Sequence, residues 1–338
     1  MQRGRQLGLT ILIFYGSISC FAGQLGNWNY TNSLNVARSG NVAVLAQNTI
    51  IFTFGGYAYS TTPYPVERAT IKPNGSLSSW VIDSSPMQSA RNTGLGFSAN
   101  GYIYAISGDN GIGFSTTVER AQVNSNGTLG SWTTIGILPR GFFQSSLVQS
   151  STFIYIIGGW SGSSDVFRTA IIPDGSLGTW ELLSSKLEVG RFDHMSILIN
   201  TTLYVVGGED SGGFQTINIE RAYLYPDGKL SAFSTISYTV ASHISGSLFY
   251  DGQYLNVVGG YYAGNPDYRS ERAQVNPDGS LGIWQPAPAL QMERDFFGYV
   301  QTSTNCYVIG ASEGGDSASV EYAPLIPTGI EKSGWEIF

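Results

Sequence analysis

Apolar and polar positions alternate along most of this chain in short runs, and clusters of Gly, Asn, Asp, Ser and Pro separate the runs. Alternation with a period of two is the mark of a half-buried β-strand, so the pattern predicts an all-β chain with helix nearly absent. The runs are of two kinds. Ser145-Ser146-Leu147-Val148 alternates, whereas Phe153-Ile154-Tyr155-Ile156-Ile157 is apolar on both faces, as expected of a strand buried between neighbouring layers.

The same order of runs and turns recurs six times. Trp80, Trp132, Trp180, Phe233, Trp284 and Trp335 follow one another at 48 to 53 residues. Ahead of them stand the turns Pro73-Asn74-Gly75, Ser125-Asn126-Gly127, Pro173-Asp174-Gly175, Pro226-Asp227-Gly228, Pro277-Asp278-Gly279 and Pro327-Thr328-Gly329. Further upstream is a Glu-Arg motif: Glu67-Arg68, Glu119-Arg120, Glu220-Arg221 and Glu271-Arg272, degraded to Phe167-Arg168 and Glu321-Tyr322 in units three and six. Before it, an apolar run ends in Gly55-Gly56, Ser107-Gly108, Gly158-Gly159, Gly207-Gly208, Gly259-Gly260 or Gly310-Ala311. A fixed period of this size is the signature of a repeat architecture. Each unit reads as four antiparallel strands, A to D. Strand A alternates, strand B is wholly apolar, strand C carries Glu-Arg, and an Asn-Gly or Asp-Gly hairpin leads to strand D with its aromatic plug.

This unit resembles the kelch repeat, through its Gly-Gly, its spaced aromatic and an arginine at the start of strand A. The resemblance covers nearly all of the chain past the first 22 residues and implies a six-bladed β-propeller, with approximate units 29–80, 81–132, 133–180, 181–233, 234–284 and 285–338. The Pro-Asp-Gly-Ser-Leu-Gly-x-Trp ending is a variant associated with bacterial secreted kelch-like proteins. It is also similar to the Asp-box of sialidase propellers, although Asp174 to Trp180 is one residue longer than that motif. A left-over Gly26-Asn27-Trp28 looks like a seventh D ending, so either the Trp28 or the Trp335 segment supplies the outer strand that closes the ring.

The resemblance further implies that B–C and D–A loops share one face, and that A–B and C–D turns share the other. The B–C loops are long and individual, and carry Tyr57, Tyr59, Tyr64, Phe114, Trp160, Phe214, Tyr261, Tyr262 and Tyr268 beside carboxylates such as Asp109, Asp165, Glu209 and Glu313. Variable loops on a repeated scaffold are where binding usually lives. Trp160, Tyr57 and Tyr261 each follow a glycine pair, which makes them the candidate stacking platforms. Arg38, Arg91, Arg140, Arg191, His243 and Arg294 form a second series at the start of strand A. In kelch proteins the matching residues line the channel mouth, and in some they grip acidic ligands. The alternative is that each one bonds carbonyls of a neighbouring blade and closes the ring. The Glu-Arg of strand C reads as a blade-internal ion pair or an inter-blade tie.

Composition narrows the partners. Net charge is −7, Lys72, Lys186, Lys229 and Lys332 are the only lysines, and no basic run exists, which excludes nucleic acid as the main partner. Arg3, Arg5 and the apolar Leu7–Ser19 read as a secretory leader, 1–22, with cleavage before Gly23; acylation at Cys20 is the alternative. No later segment could span a membrane as a helix. Cleavage leaves Cys306 alone, in an apolar strand, as an inert thiol. Two histidines and one cysteine make no metal cluster, and neither a cofactor motif nor a catalytic triad stands out, so no cofactor is expected. The expectation is a secreted recognition module for a glycan or an extracellular protein on the B–C face. The alternative is a sugar-active enzyme, similar to sialic-acid mutarotases or sialidases.

Overall fold

The structure, a computed structural model, describes residues 23–57, 65–262, 264–312 and 315–327. The leader, Tyr59, Tyr64, Glu313 and Trp335 lie outside the described residues. The protein is a six-bladed β-propeller, and the described residues contain no helix.

In blade one, strands A to D are Ser39–Ala46, Ile50–Tyr57, Glu67–Thr70 and Val81–Ile82, hydrogen-bonded in that order. Blade two runs Leu95–Ala99, Tyr102–Ile106, Thr117–Gln122, Thr133–Ile137; blade three runs Ser146–Gln149, Phe153–Ile157, Val166–Ala170, Glu181–Leu182. Blade four runs Met195–Ile199, Thr202–Val206, Asn218–Tyr223, Ser234–Tyr238; blade five runs Ser247–Tyr250, Tyr254–Tyr262, Asn265–Gln274, Gln285–Ala287. Blade six has Gly298–Gln301, Asn305–Ser312 and Asp316–Pro327 as A to C. Its outer strand comes from the other end of the chain: Gly23–Leu25 pairs with Leu325–Pro327, and Asn29–Tyr30 with Glu321–Tyr322. The Trp28 segment therefore closes the ring.

Each D strand starts directly after its aromatic residue, which leaves that side chain to wedge between blades. Trp28, Trp80, Trp132, Phe233 and Trp284 are buried, and Trp180 is half-buried. Trp132 of blade two meets Phe54 of blade one edge to face at 5.5 Å. Trp28 packs against Phe249 of blade five at 5.9 Å. Strand B is buried on both faces, so its polar atoms must find partners locally. Tyr104, Tyr155, Tyr204 and Tyr307 each donate their hydroxyl to the C–D turn glycine of the next blade, at Gly175, Gly228, Gly279 and Gly75. Three of the strand C arginines grip the same turns. Arg120, Arg168 and Arg221 donate to the carbonyls of Asp174, Asp227 and Asp278. These arginines are thus the inter-blade ties of the Glu-Arg motif.

The glycine pairs tie the blades on the opposite face. Gly56 N–H donates to the Arg91 carbonyl, Gly159 to Arg191, Gly208 to His243 and Gly260 to Arg294. At Gly55 the backbone is left-handed (φ 69°), and a Cβ there would stand 2.5 Å from the Arg91 carbonyl oxygen. That approach requires glycine.

Candidate functional site

The arginine series is built into the wall of the ring. Arg38, Arg91, Arg191 and Arg294 are 0–1% exposed. Each bonds the strand C glutamate of its own blade: Arg38 to Glu67 (2.9 Å), Arg91 to Glu119 (2.7 Å), Arg191 to Glu220 and Arg294 to Glu321 (2.8 Å). His243 makes the same contact with Glu271 at 3.0 Å. The second guanidinium nitrogen reaches carbonyls at the strand B end and in strand C, such as Gly207 and Asn218 for Arg191. The glutamates accept the D–A linker amides; Glu67, for example, takes Asn35 N–H at 2.7 Å. Burial lowers the pKa of Arg38, Arg91 and Arg191, and the partnering glutamate offsets part of that effect. Groups so placed cannot meet a ligand. The sequence offered a grip on an acidic ligand or bonds to carbonyls of a neighbouring blade; in the structure Arg38, Arg91, Arg191, His243 and Arg294 instead bond the glutamate and carbonyls of their own blade, which locks that blade to its linker.

Blade three departs from this pattern, and there the sequence reading was out of register. Gly108 N–H bonds the carbonyl of Phe142, so Phe142 occupies the position that arginine holds elsewhere. Arg140 lies two residues earlier, is substantially exposed, and pairs with Asp165 at 3.1 Å; Lys186 reaches the same carboxylate.

Above the arginine level, each blade contributes two residues to a rim around the axis. One is the residue after the ring position, and the other follows the glycine pair. They face each other as Ser39/Tyr57, Asn92/Asp109, Phe143/Trp160, Phe192/Glu209, Ile244/Tyr261 and Asp295/Ser312. Tyr57, Trp160 and Tyr261 thus stand in alternate blades, with polar residues between them. Trp160 is 52% exposed and lies at the centre of an aromatic cluster. Its ring is 5.7 Å from Phe143, 5.6 Å from Phe192 and 6.3 Å from Phe114, and Phe114 stacks on Phe143 at 4.8 Å. Tyr57 is exposed and Tyr261 half-buried.

Tyr57, Ser39, Asn92, Phe143, Ser312 and Asp316 line a vestibule of about 340 Å3. Its floor is a second ring, in which Gly40, Thr93, Gln144, Asp193, Ser245 and Phe296 all have left-handed backbone, φ 46° to 63°. Five amide bonds run round this ring, from Gly40 to Phe296, Phe296 to Ser245, Ser245 to Asp193, Asp193 to Gln144 and Thr93 to Gly40. Beneath it lies a central cavity of about 250 Å3 lined by strand A of five blades and, in blade five, by Ser245 and Gly246 just ahead of strand A.

Titratable groups near the axis are tuned by burial. Asp193 is pushed up to about 8 by burial, with the charges of Glu209 and Asp295 adding to the effect, and accepts a hydrogen bond from the Gln144 amide. Burial raises Asp295 to about 7 and also raises Glu209. His194 lies 2.8 Å from the Ser146 hydroxyl, an arrangement that invites comparison with a nucleophile and its base. Burial and the Arg191 charge hold that imidazole down at about 3, far too weak a base for the task. Among the described residues no group of three His, Cys, Asp or Glu could hold a metal ion.

Phe143, Phe192, Asn92 and Gln144 were absent from the candidate residues. Their signal in the sequence is positional: each is one or two positions past the ring residue of its repeat. No protein-family model matches the chain, and no curated protein matches it.

Proposed function

We propose that the protein is a secreted, kelch-type recognition module that binds a hydroxyl-rich glycan on the face carrying the B–C loops. A propeller is consistent with a ligand-binding module, and one observation carries the finer reading. Trp160 is left half-exposed on a rigid aromatic base beside a polar vestibule, although the blades supply ample apolar area to bury it. Flat aromatic faces take sugar C–H groups, and the Asn92, Ser39 and Asp316 side chains around the vestibule suit hydroxyls.

Charge favours a neutral ligand over an acidic one. Of the cations near this face, Arg140 and Lys186 are held by Asp165, and Arg269 by Asp267 at 2.7 Å. The sugar-active alternative loses its main support, because the guanidinium groups that would grip an acidic sugar are sealed in ion pairs. The repeat pattern supports the kelch assignment, and the charged and apolar stretches of residues 1–22 support secretion.

A glycan-array screen of the protein from Gly23 onward tests the reading, followed by calorimetry on the best hit. Trp160→Ala should weaken that binding by about 1–3 kcal/mol, the range where interface hot spots begin. Binding that survives Trp160→Ala and Tyr57→Ala together would move the site elsewhere, and an array without hits would favour a protein ligand.

A further inference from the structure

The vestibule is walled on one side and open on the other. Ser39 and Tyr57 of blade one, Asn92 of blade two, Phe143 of blade three and Ser312 and Asp316 of blade six line it. These are four consecutive blades, and no lining residue comes from blade four or five. Below, Gly40, Thr93, Gln144 and Phe296 separate it from the central cavity, which they also line. On the side toward blade four the surface continues as aromatic rings. Phe143 is a wall of the vestibule and a neighbour of Trp160 at 5.7 Å, and Phe192 of blade four lies 5.6 Å from Trp160. The vestibule also offers polar atoms that a ligand can reach. Among the described residues the Asn92 amide and the Ser312 hydroxyl have no hydrogen-bond partner, and both side chains are only half-buried. An amide donates and accepts, as a hydroxyl does, so the two together match neighbouring hydroxyls on a sugar ring. The Asp316 carboxylate is already engaged, by the Ser39 hydroxyl at 2.7 Å and by the charge of Arg38.

We propose that the vestibule takes the non-reducing terminal ring of a neutral glycan and that Trp160 carries the next ring, so that the protein recognises chain ends and not chain interiors. This rests on the glycan reading above. A volume of about 340 Å3 lies near the lower bound of small-molecule pockets, which leaves room for one ring and its hydroxyls. A ring sunk there continues into a chain only on the open side, over Phe143 to Trp160. An interior ring must continue at both of its ends, and one of them would run into the wall formed by blades six, one and two. A terminal ring has no second continuation. The reducing end of a glycan is where it joins its carrier, so the non-reducing end is the one free to enter.

The probes are linear homo-oligomers of glucose, galactose, mannose and N-acetylglucosamine, from methyl glycosides to hexamers, titrated by calorimetry and, for the weakest, by NMR. In the series that binds, the methyl glycoside alone should bind, and affinity per chain should rise at the dimer and then level off. A 4,6-O-ethylidene cap on the non-reducing ring should weaken binding about tenfold, the loss expected when its hydroxyls can no longer be paired. Ser312→Phe fills the vestibule with the kind of side chain that blades one, three and five carry at this position, so it should stay folded and lose the methyl glycoside. Asn92→Phe, which copies Phe143 and Phe192, serves the same purpose if Ser312→Phe does not fold. Trp160→Ala should leave the methyl glycoside bound and remove the gain at the dimer. Affinity that climbs with every added ring, a cap without effect, or a methyl glycoside held equally well by a folded filling variant overturns this inference and leaves the glycan reading standing. Failure of every series also overturns it, and an array without hits overturns the glycan reading as well.

Discussion

Phe142 and Phe167 meet edge to face, with ring centroids 5.3 Å apart, at the two positions where blades one, two, four and six hold a buried arginine and glutamate. The swap is concerted. Arginine would lack its carboxylate opposite Phe167, and glutamate would lack its cation opposite Phe142. Arg140 then lies over both rings at 5.2 Å, on the outside of the apolar pair. One ring of blades thus contains both known solutions to the same packing problem. An ion pair must recover its desolvation through geometry, and an apolar pair of similar volume avoids that cost.

Transplanting the blade-three solution tests this equivalence. Glu119→Ala alone should destabilise by about 3–5 kcal/mol, because it strands the Arg91 charge in the wall. Arg91→Phe combined with Glu119→Phe should cost less than that single change. Urea unfolding measures both, and a double variant at least as unstable as Glu119→Ala would show that the pair's hydrogen bonds to the linker cannot be replaced.

The aromatic wedge predicts a second loss. Trp132→Ala removes a ring that is 3% exposed and packed on Phe54, and should cost about 3–5 kcal/mol. Trp160→Ala removes a half-exposed ring and should cost far less in the same urea assay. Equal losses would mean that Trp160 belongs to the packing and not to a site.

Stability should fall on both sides of a mildly acidic optimum. The folded state holds a proton on Asp193 up to about pH 8, whereas an unfolded aspartate releases it near 4. The folded state therefore binds more protons between those values, and stability declines as pH rises through that window. His194 acts in the opposite sense. Its folded pKa is lowered to about 3, so stability is lost as pH falls from about 6.5 toward 3. Asp193→Asn should flatten the alkaline decline in a series of melting temperatures, and an unaltered slope would place the titration elsewhere.

Cys306 is fully buried, and burial raises its thiol pKa well above the ordinary value. Ellman's reagent should leave it untouched in the native protein and label it fully in denaturant. Rapid labelling of the native protein would show that blade six opens readily.

Much of this architecture was legible because it repeats. Six copies of turn, glycine pair and aromatic give the blade count, and Trp28 already marked a second candidate for ring closure. What the sequence could not resolve was which partner each repeated charge chooses. Glu67 and Arg68 are neighbours in the chain but point to opposite sides of a strand, so Glu67 bonds Arg38 while Arg68 turns to Asp83 at 3.3 Å. The misplacement of Arg140 has the same origin. Residue type was followed where backbone register mattered, and Phe142 keeps the 17-residue spacing to Gly159 that Arg91 keeps to Gly108. The rim was half legible. Trp160 and Tyr57 announced themselves by their glycines, while Phe143 and Phe192 gain meaning only when the ring brings them beside Trp160.

The composite sixth sheet has a consequence for how the molecule comes into being. Gly23 pairs with Pro327 and Asn29 with Tyr322, so a segment made before the other five blades completes its sheet only with a strand made after them. Five blades can form in order as the chain emerges, each docking on its predecessor, yet the circle stays open until synthesis has passed Pro327. Closure across such a sequence separation is intrinsically slow. Until it happens, the Asp316–Pro327 strand presents an unpaired edge able to capture the Gly23–Tyr30 segment of another chain. The step that closes the ring is therefore also the step at which two molecules folding side by side could exchange their closing strands.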